Sequence, residues 1–561
     1  MKTQKMLYIL GIASLSISTV SLPAQSGLEV CFRHTLGKVR NESKIPALGG
    51  VLVFDGKIQA AGATGVRKEG TNFNVTDNDR FPIGSISKTF TALVIAKAIQ
   101  NSSQVIAIPQ QQQQQQQQGN GPLSWGTKIK DIFPALAQEP GIQLAYLDKS
   151  LAEITTHQSG LPRSGSESSI CDKSDFIQYM FCGRNEHMLK NLKLTPEPNS
   201  DYSNLGPVIA TNMIQKKTNK TWETLVAEYI YNPLQMGAGF ISTYDYANVK
   251  DPMFHQNNGA GNVPIAYSQG DRYNVAAPAG HVAISPRDMG KYLVELMPGA
   301  PGRVGILNNP NLDLYLNKLN NLRNVTRGGW MVTNAGWAPN QKVLWHNGSH
   351  GKNYAHAWLL PDSKIGFCAM TNVQGNTDIG KNAVNRMNEN LKLMYLNRNI
   401  LGLFTPQMEA FNYQLSSVGL QINQKSLNDG ELASRWTSSM SNSTVDVAVG
   451  AQAAVAGIVV CYAGASHNIK EVQIYALSPS NQETLLHKGA PGTYQNIYEF
   501  GGGSLQGSKV RFRFINQDGK QVEVNEIMVL QNTQRYFMAW LGNVPKAEKT
   551  SVFVPLNKVS N

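Results

Sequence analysis

Apolar positions change their period several times along the chain. Residues 50–66 alternate apolar with small or polar side chains around Asp55-Gly56, the pattern of a hairpin. Residues 85–99 carry apolar side chains at helical spacing, and Ser85 suits the start of that helix. Residues 205–214 and 222–230 repeat the helical period. Residues 342–346, 354–360 and 365–370 read as successive strands split by turns. Strands at both ends with helices between predict one large α/β (α+β) unit over residues 30–400. After Thr405 the pattern becomes short strands and turns, which predicts a separate β-domain over residues 415–532 and a tail over 533–561.

The ends and gaps add context. Lys2 and Lys5 precede an apolar run over residues 6–13, and Pro23-Ala24 puts a small residue where a cut could fall. Residues 1–24 therefore read as a secretory signal peptide, and the location as secreted or periplasmic. Export permits disulfides, and Cys171 and Cys182 are near enough in sequence for a local bridge. Residues 110–118 are an unbroken Gln run that buries nothing apolar, expected as a surface insertion in the larger unit. Residues 447–465 are nearly free of charge but rich in Ala and Gly. Two strands joined by a turn near 450–454 explain them better than a membrane span, so no transmembrane span is expected after signal cleavage. Of 561 residues 41% are hydrophobic, enough for real cores, and five Cys are too few for a disulfide-built scaffold. The net charge of +12 is modest for this length and has no long basic run behind it, so nucleic acid is not the expected partner.

Candidate chemistry begins at Ser85-Ile86-Ser87-Lys88. Positions i and i+3 share a helix face, so the Lys88 amine can reach the Ser85 hydroxyl. A serine hydroxyl is a weak nucleophile until a neighbour takes its proton, and a lysine does so only if burial or nearby positive charge lowers its pKa. A helix start also aims backbone N–H groups at a developing oxyanion. Ser-x-x-Lys alone is weak evidence, because a plain helix cap gives the same pattern. It is followed by Tyr202-Ser203-Asn204, and then by His346-Asn347-Gly348-Ser349 at the end of a predicted strand.

The order Ser-x-x-Lys, Tyr-x-Asn, His-x-Gly resembles the serine β-lactamase and penicillin-binding protein superfamily, and within it the class C β-lactamase, D-alanyl-D-alanine carboxypeptidase and esterase branch. Thr156-His157-Gln158-Ser159-Gly160-Leu161-Pro162, Asn232-Pro233-Leu234 and Pro278-Ala279-Gly280 resemble further segments of that branch. The resemblance covers about residues 35–390. It implies an antiparallel sheet flanked by helices with a helical subdomain, and a hydrolase that needs no cofactor for catalysis. It implies Ser85 as the acylated nucleophile, with Lys88 and Tyr202 sharing its proton and Tyr202 able to act as base. Asn204 would orient Lys88 or a substrate amide. The backbone N–H groups of Ser85 and Ser349 would form the oxyanion hole, with Gly348 keeping the strand edge clear. His346 departs from the Lys usual in β-lactamases of the branch. Its ordinary pKa makes it a weaker clamp for a carboxylate, gaining charge as pH falls through about 6.5. An ester or a D-amino-acid-containing peptide is therefore the expected substrate, ahead of a β-lactam. His157 is expected to brace a loop, and His350 and His356 to be structural.

Asn428-Asp429-Gly430 with Ser434-Arg435-Trp436 resembles discoidin-like (coagulation-factor type-C) domains. That resemblance implies a jelly-roll β-sandwich of the galactose-binding-like kind over 415–532. It also implies Asp429 and Glu526 as ligands of a structural Ca²⁺, and a glycan or cell-surface ligand on the loops; a plain turn and a purely structural domain remain equal alternatives. Two rivals to a small-molecule or peptide hydrolase stay open: a penicillin-binding sensor that acylates without turnover, and an extracellular glycan-binding protein that uses the hydrolase fold as scaffold.

Overall fold

The computed structural model describes residues 27–104, 121–138, 144–161, 163, 202–266, 276–319, 326–375 and 377–396. In the C-terminal part it describes 436–438, 442–448, 455–462, 468–478, 480–491, 495–500, 509–516, 520, 522–531 and 553–556. Residues 1–24, the Gln run, Cys171, Cys182 and Asp429 lie outside the described residues.

Helix α1 (Gly27–Glu42) leads into strands β1 (Ala47–Phe54) and β2 (Lys57–Gly65). They form the expected hairpin, with Asp55 and Gly56 at φ 54° and 68°, the two left-handed positions of a tight turn. Helices α2 (Ser87–Gln104), α3 (Leu205–Thr218) and α4 (Pro286–Glu295) follow. The chain then returns to the sheet as β3 (Thr326–Arg327), β4 (Trp330–Asn334), β5 (Lys342–Gly348), β6 (Tyr354–Leu360) and β7 (Ile365–Thr371), and ends this part in α5 (Ile379–Leu396).

These seven strands form one antiparallel sheet in the order β2-β1-β7-β6-β5-β4-β3. The first hairpin thus pairs with the last strand, Leu48 opposite Thr371 and Val53 opposite Gly366. Both faces of the sheet are covered, so β1 and β7 are buried along their whole length. On one face Val51, Val53, Cys368 and Met370 join a core with residues of α2, α3 and α4. On the other, Leu48, Leu52, Phe367 and Ala369 join α1 and α5. Helix α2 runs through the first core and is buried nearly all round, its polar Ser87, Lys88, Thr89, Thr91 and Gln100 included.

The C-terminal strands form two further sheets. Asn442–Ala448, Lys509–Asn516, Ile469–Leu477 and Glu483–Gly489 make an antiparallel one in that spatial order. Val455–Tyr462 lies between Val522–Gln531 and Gln495–Phe500 in the other. The two strands expected within residues 447–465 are present, but they are not hairpin partners. They belong to different sheets. Val510, Phe512 and Phe514 are buried and alternate with partly exposed Arg511 and Arg513, the pattern of a strand with one covered face.

Candidate active site

Ser85 does not open helix α2. It sits in the 3₁₀ turn Gly84–Ile86 just before it, and no side chain caps that turn. The expected helix-start role passes to a tighter bend that frees the Ser85 hydroxyl for another partner. Lys88, in the first turn of α2, places its Nζ 3.0 Å from Ser85 Oγ and donates to the Ala279 carbonyl at 2.9 Å. Helix α2 is held firmly. Phe90 stacks on Tyr292 at 3.8 Å between centroids, and Thr91 accepts from Trp222 Nε1 at 2.9 Å while donating to the Pro278 carbonyl at 2.7 Å.

Lys88 is 2% exposed, and burial, with Arg163 nearby, drives its pKa well below that of an ordinary lysine. The amine is thereby prepared to be uncharged, which a base for Ser85 requires. Tyr202 hydrogen-bonds Ser85 from the segment before α3, with its ring 4.8 Å from Lys88 Nζ. Burial pushes its phenol up to about 12. The Tyr202 phenol therefore keeps its proton at neutral pH, whereas the Lys88 shift favours the uncharged amine.

His157 is buried and accepts the Ser203 N–H at 3.2 Å, with its ring 4.8 Å from that of Tyr202. It does brace the Tyr202-Ser203-Asn204 segment. Ser203 Oγ accepts from the N–H groups of Leu205 and Gly206 at 3.1 and 3.2 Å and so starts α3. Asn204 lines the cleft, but among the described residues its side chain makes no hydrogen bond to Lys88.

The end of β5 completes the site. A Cβ on Gly84, at φ 52°, would lie 2.4 Å from the Ser349 nitrogen, so the two loops meet backbone to backbone. The peptide N–H groups beside Ser85 and Ser349 are brought together by that contact. His346 corrects the expectation of a titrating clamp. It is 2% exposed, its Nδ1 lies 2.6 Å from the Asn347 carbonyl, and burial holds its pKa at about 3. It stays neutral throughout the physiological range, with Nδ1–H donating and a buried Nε2 lone pair that no described group answers. Asn347 donates to the Tyr354 hydroxyl at 2.8 Å.

Together Ser85, Tyr202, Asn204, His346 and Ser349 line a cleft of about 370 Å³. Sequence reasoning missed Arg163, which lines it too. Its guanidinium lies 5.6 Å from the Tyr202 ring centre, its carbonyl accepts the Asn204 N–H at 2.8 Å, and its side chain is exposed. Arg163 directly follows the Thr156–Pro162 turn motif, which was the available signal. His350 and His356 are held by Asn353 and Asn385, and neither lines the cleft. Glu526 sits in strand Val522–Gln531 opposite Cys461. Among the described residues no group of three metal-ligating side chains is present, and no helix is long and apolar enough to cross a membrane.

Comparison with known proteins places this sheet and its helices in a family. The Beta-lactamase family model matches residues 32–389, and the chain belongs to that family. It is 26% identical over 256 residues to Beta-lactamase-like protein 4 of Dictyostelium discoideum, covering 43% of this chain and 38% of that one. It is 24% identical over 233 residues to a Beta-lactamase of Yersinia enterocolitica, covering 41% and 52%. The match thus spans about half or less of these relatives' length. Among solved structures, D-amino acid amidase from Ochrobactrum anthropi SV3 is similar at 16% identity and a TM-score of 0.48, covering 65% of this chain and 97% of that one.

Proposed function

We propose that the protein is a serine acyl-hydrolase that acts through an acyl intermediate on Ser85, with ester or D-amino-acid-containing peptide or amide substrates. The observation that carries this reading is Ser85 Oγ at 3.0 Å from a buried lysine amine that is prepared to be uncharged. Lys88 accepts the Ser85 proton as Oγ bonds to the acyl carbon, and the carbonyl electron pair moves to oxygen. The N–H groups of Ser85 and Ser349 receive that oxyanion. Collapse breaks the bond to the leaving group, which takes a proton from the Tyr202 phenol, and the Lys88 ammonium restores it. Water then attacks the acyl-enzyme by the same steps in reverse roles and frees Ser85.

His346 offers a neutral acceptor, Nε2, to a substrate N–H or O–H. Arg163 offers the cleft an exposed cation for a substrate carboxylate, the task first expected of His346. The proposal includes export through residues 1–24 and a discoidin-like β-sandwich after residue 415. Alternating burial in both C-terminal sheets, Val472 and Ile474 in one and Val522 and Val524 in the other, supports a sandwich.

A fluorescent fluorophosphonate probe tests the reaction on one gel. Stable labelling that Ser85→Ala removes, with nitrophenyl-ester hydrolysis that runs far beyond one equivalent of enzyme, is the expected result. Nitrophenol release that stops at one equivalent would replace turnover with a sensor, and labelling that survives Ser85→Ala would remove the nucleophile.

A further inference from the structure

A second cavity, of about 320 Å³, lies between helix α5 and the sheet face formed by β6 and β7. One wall is aromatic. Trp358 and Phe367 are register partners on β6 and β7 with rings 6.1 Å apart and 15° from parallel, and Trp337 lies 6.2 Å from Phe367. The opposite wall is polar and comes from α5.

Two residues that line this space, Asn388 and His356, each hold a buried acceptor without a partner. Asn388, 4% exposed, donates through Nδ2 to the His356 carbonyl at 2.9 Å. That bond fixes the amide and leaves Oδ1 buried and unanswered. His356 Nδ1 lies 3.0 Å from the Asn385 side-chain oxygen, so Nδ1 carries the hydrogen and Nε2 is a bare lone pair, also buried and unanswered. Burial lowers the His356 pKa, in keeping with that neutral form. Buried acceptors in folded proteins are nearly always matched by donors, so two side by side in one cavity ask for a ligand that supplies them.

The lining selects the class of ligand. A hydrocarbon would cover the rings but leave both acceptors unmet. An ion would find no counter-charge, because Glu389 and Lys392 already pair with each other at the cavity. A face of C–H groups edged by hydroxyls suits this lining, the C–H face covering the rings and the hydroxyls reaching the acceptors beside and across from them. We infer that this cavity binds a neutral pyranose sugar, through Trp337, Trp358, Phe367 and the adjacent His356 on the sheet side and Asn388 on the α5 side. The site is independent of the Ser85 chemistry and lies on the sheet face that carries α5.

The full chain is titrated with the methyl pyranosides of D-glucose, D-galactose and D-mannose and with methyl N-acetyl-β-D-glucosaminide. Tryptophan fluorescence and ligand-observed NMR give the readout. At least one sugar should saturate, with binding weakened tenfold or more by Trp337→Ala and by His356→Phe and unchanged by Ser85→Ala. Monodeoxy versions of the sugar that binds, tested on the unaltered protein, should weaken binding at least fivefold at two ring positions, which reads the two acceptors without any variant that could misfold. The inference is overturned if no pyranoside saturates, or if binding survives both variants and so resides elsewhere on the chain. It is also overturned if phenol or benzylammonium saturates this cavity where the sugars do not, or if Ser85→Ala abolishes sugar binding.

Discussion

A Cβ on Gly348 would lie 2.5 Å from the Ser85 nitrogen and 2.0 Å from the Ile83 carbonyl oxygen. The strand that brings Ser349 to the site therefore touches the turn that carries Ser85 through bare backbone. Gly348→Ala should push the two apart and misalign the N–H pair. A lost oxyanion donor costs about 10²–10³ in rate, so nitrophenyl-ester kcat should fall by that order while circular dichroism stays native. Activity within twofold of the parent would show that the oxyanion is held elsewhere.

In the proposed mechanism the Lys88 amine is the base, favoured by the burial that lowers its pKa, and that gives its replacement a specific signature. Lys88→Ala and Tyr202→Phe should each lower kcat/KM by about 10²–10⁴, the usual worth of an acid–base group. Lys88→Arg should not rescue, since a guanidinium cannot shed its proton. The protonated amine is inactive, so kcat/KM should rise with pH through the lowered Lys88 pKa and the rise should vanish in Lys88→Ala. A full-rate Lys88→Arg enzyme would exclude the lysine as base.

Much of this site was legible from spacing. Ser85 and Lys88 stand three residues apart across the junction of a 3₁₀ turn and α2, and chemistry-bearing motifs recur at the starts and ends of predicted elements, where loops converge. The three strands at 342–370 announced themselves through apolar runs and turns. Burial was not legible. His346 reads like any histidine until the covering of the sheet makes it 2% exposed. Arg163 has no partner at a fixed sequence distance, because its place beside Tyr202 depends on how separate loops meet. The pairing of strand Asn442–Ala448 away from its sequence neighbour was hidden for the same reason: the alternation within a strand does not name its partner.

On the proposed reading, Arg163 and His346 divide the work that one lysine would do. Arg163→Gln should lower kcat/KM for substrates with a free carboxylate about fivefold, near the upper worth of a partly exposed ion pair, and leave neutral esters unchanged. His346 stays neutral, so carboxylate substrates should show no gain as pH falls from 7.5 to 5.5. Parallel kinetics on an acidic peptide and a neutral ester check both. Equal losses on the two substrates in Arg163→Gln would make it a positioning residue for Tyr202 rather than a reader of charge.

Buried histidines also tie stability to pH. His157 and His346 are held at about 3 and His255 at about 4, mainly by burial. In the unfolded chain each titrates near 6.5. Below that value the unfolded state binds protons that the folded state refuses, so stability is complete above pH about 6.5 and falls as pH drops toward the folded values. Each histidine contributes a slope approaching about 1.4 kcal/mol per pH unit. Between pH 6.5 and 5 most carboxylates remain ionised, so this window isolates the histidines. Thermal melts should be level from pH 8 to 7 and descend steadily from 6.5 to 5, with a shallower descent in His255→Gln, which lies outside the cleft. A melting temperature that holds constant down to pH 5 would mean that these rings gain protons without unfolding the chain, and that their burial is looser than the packing around β5 implies.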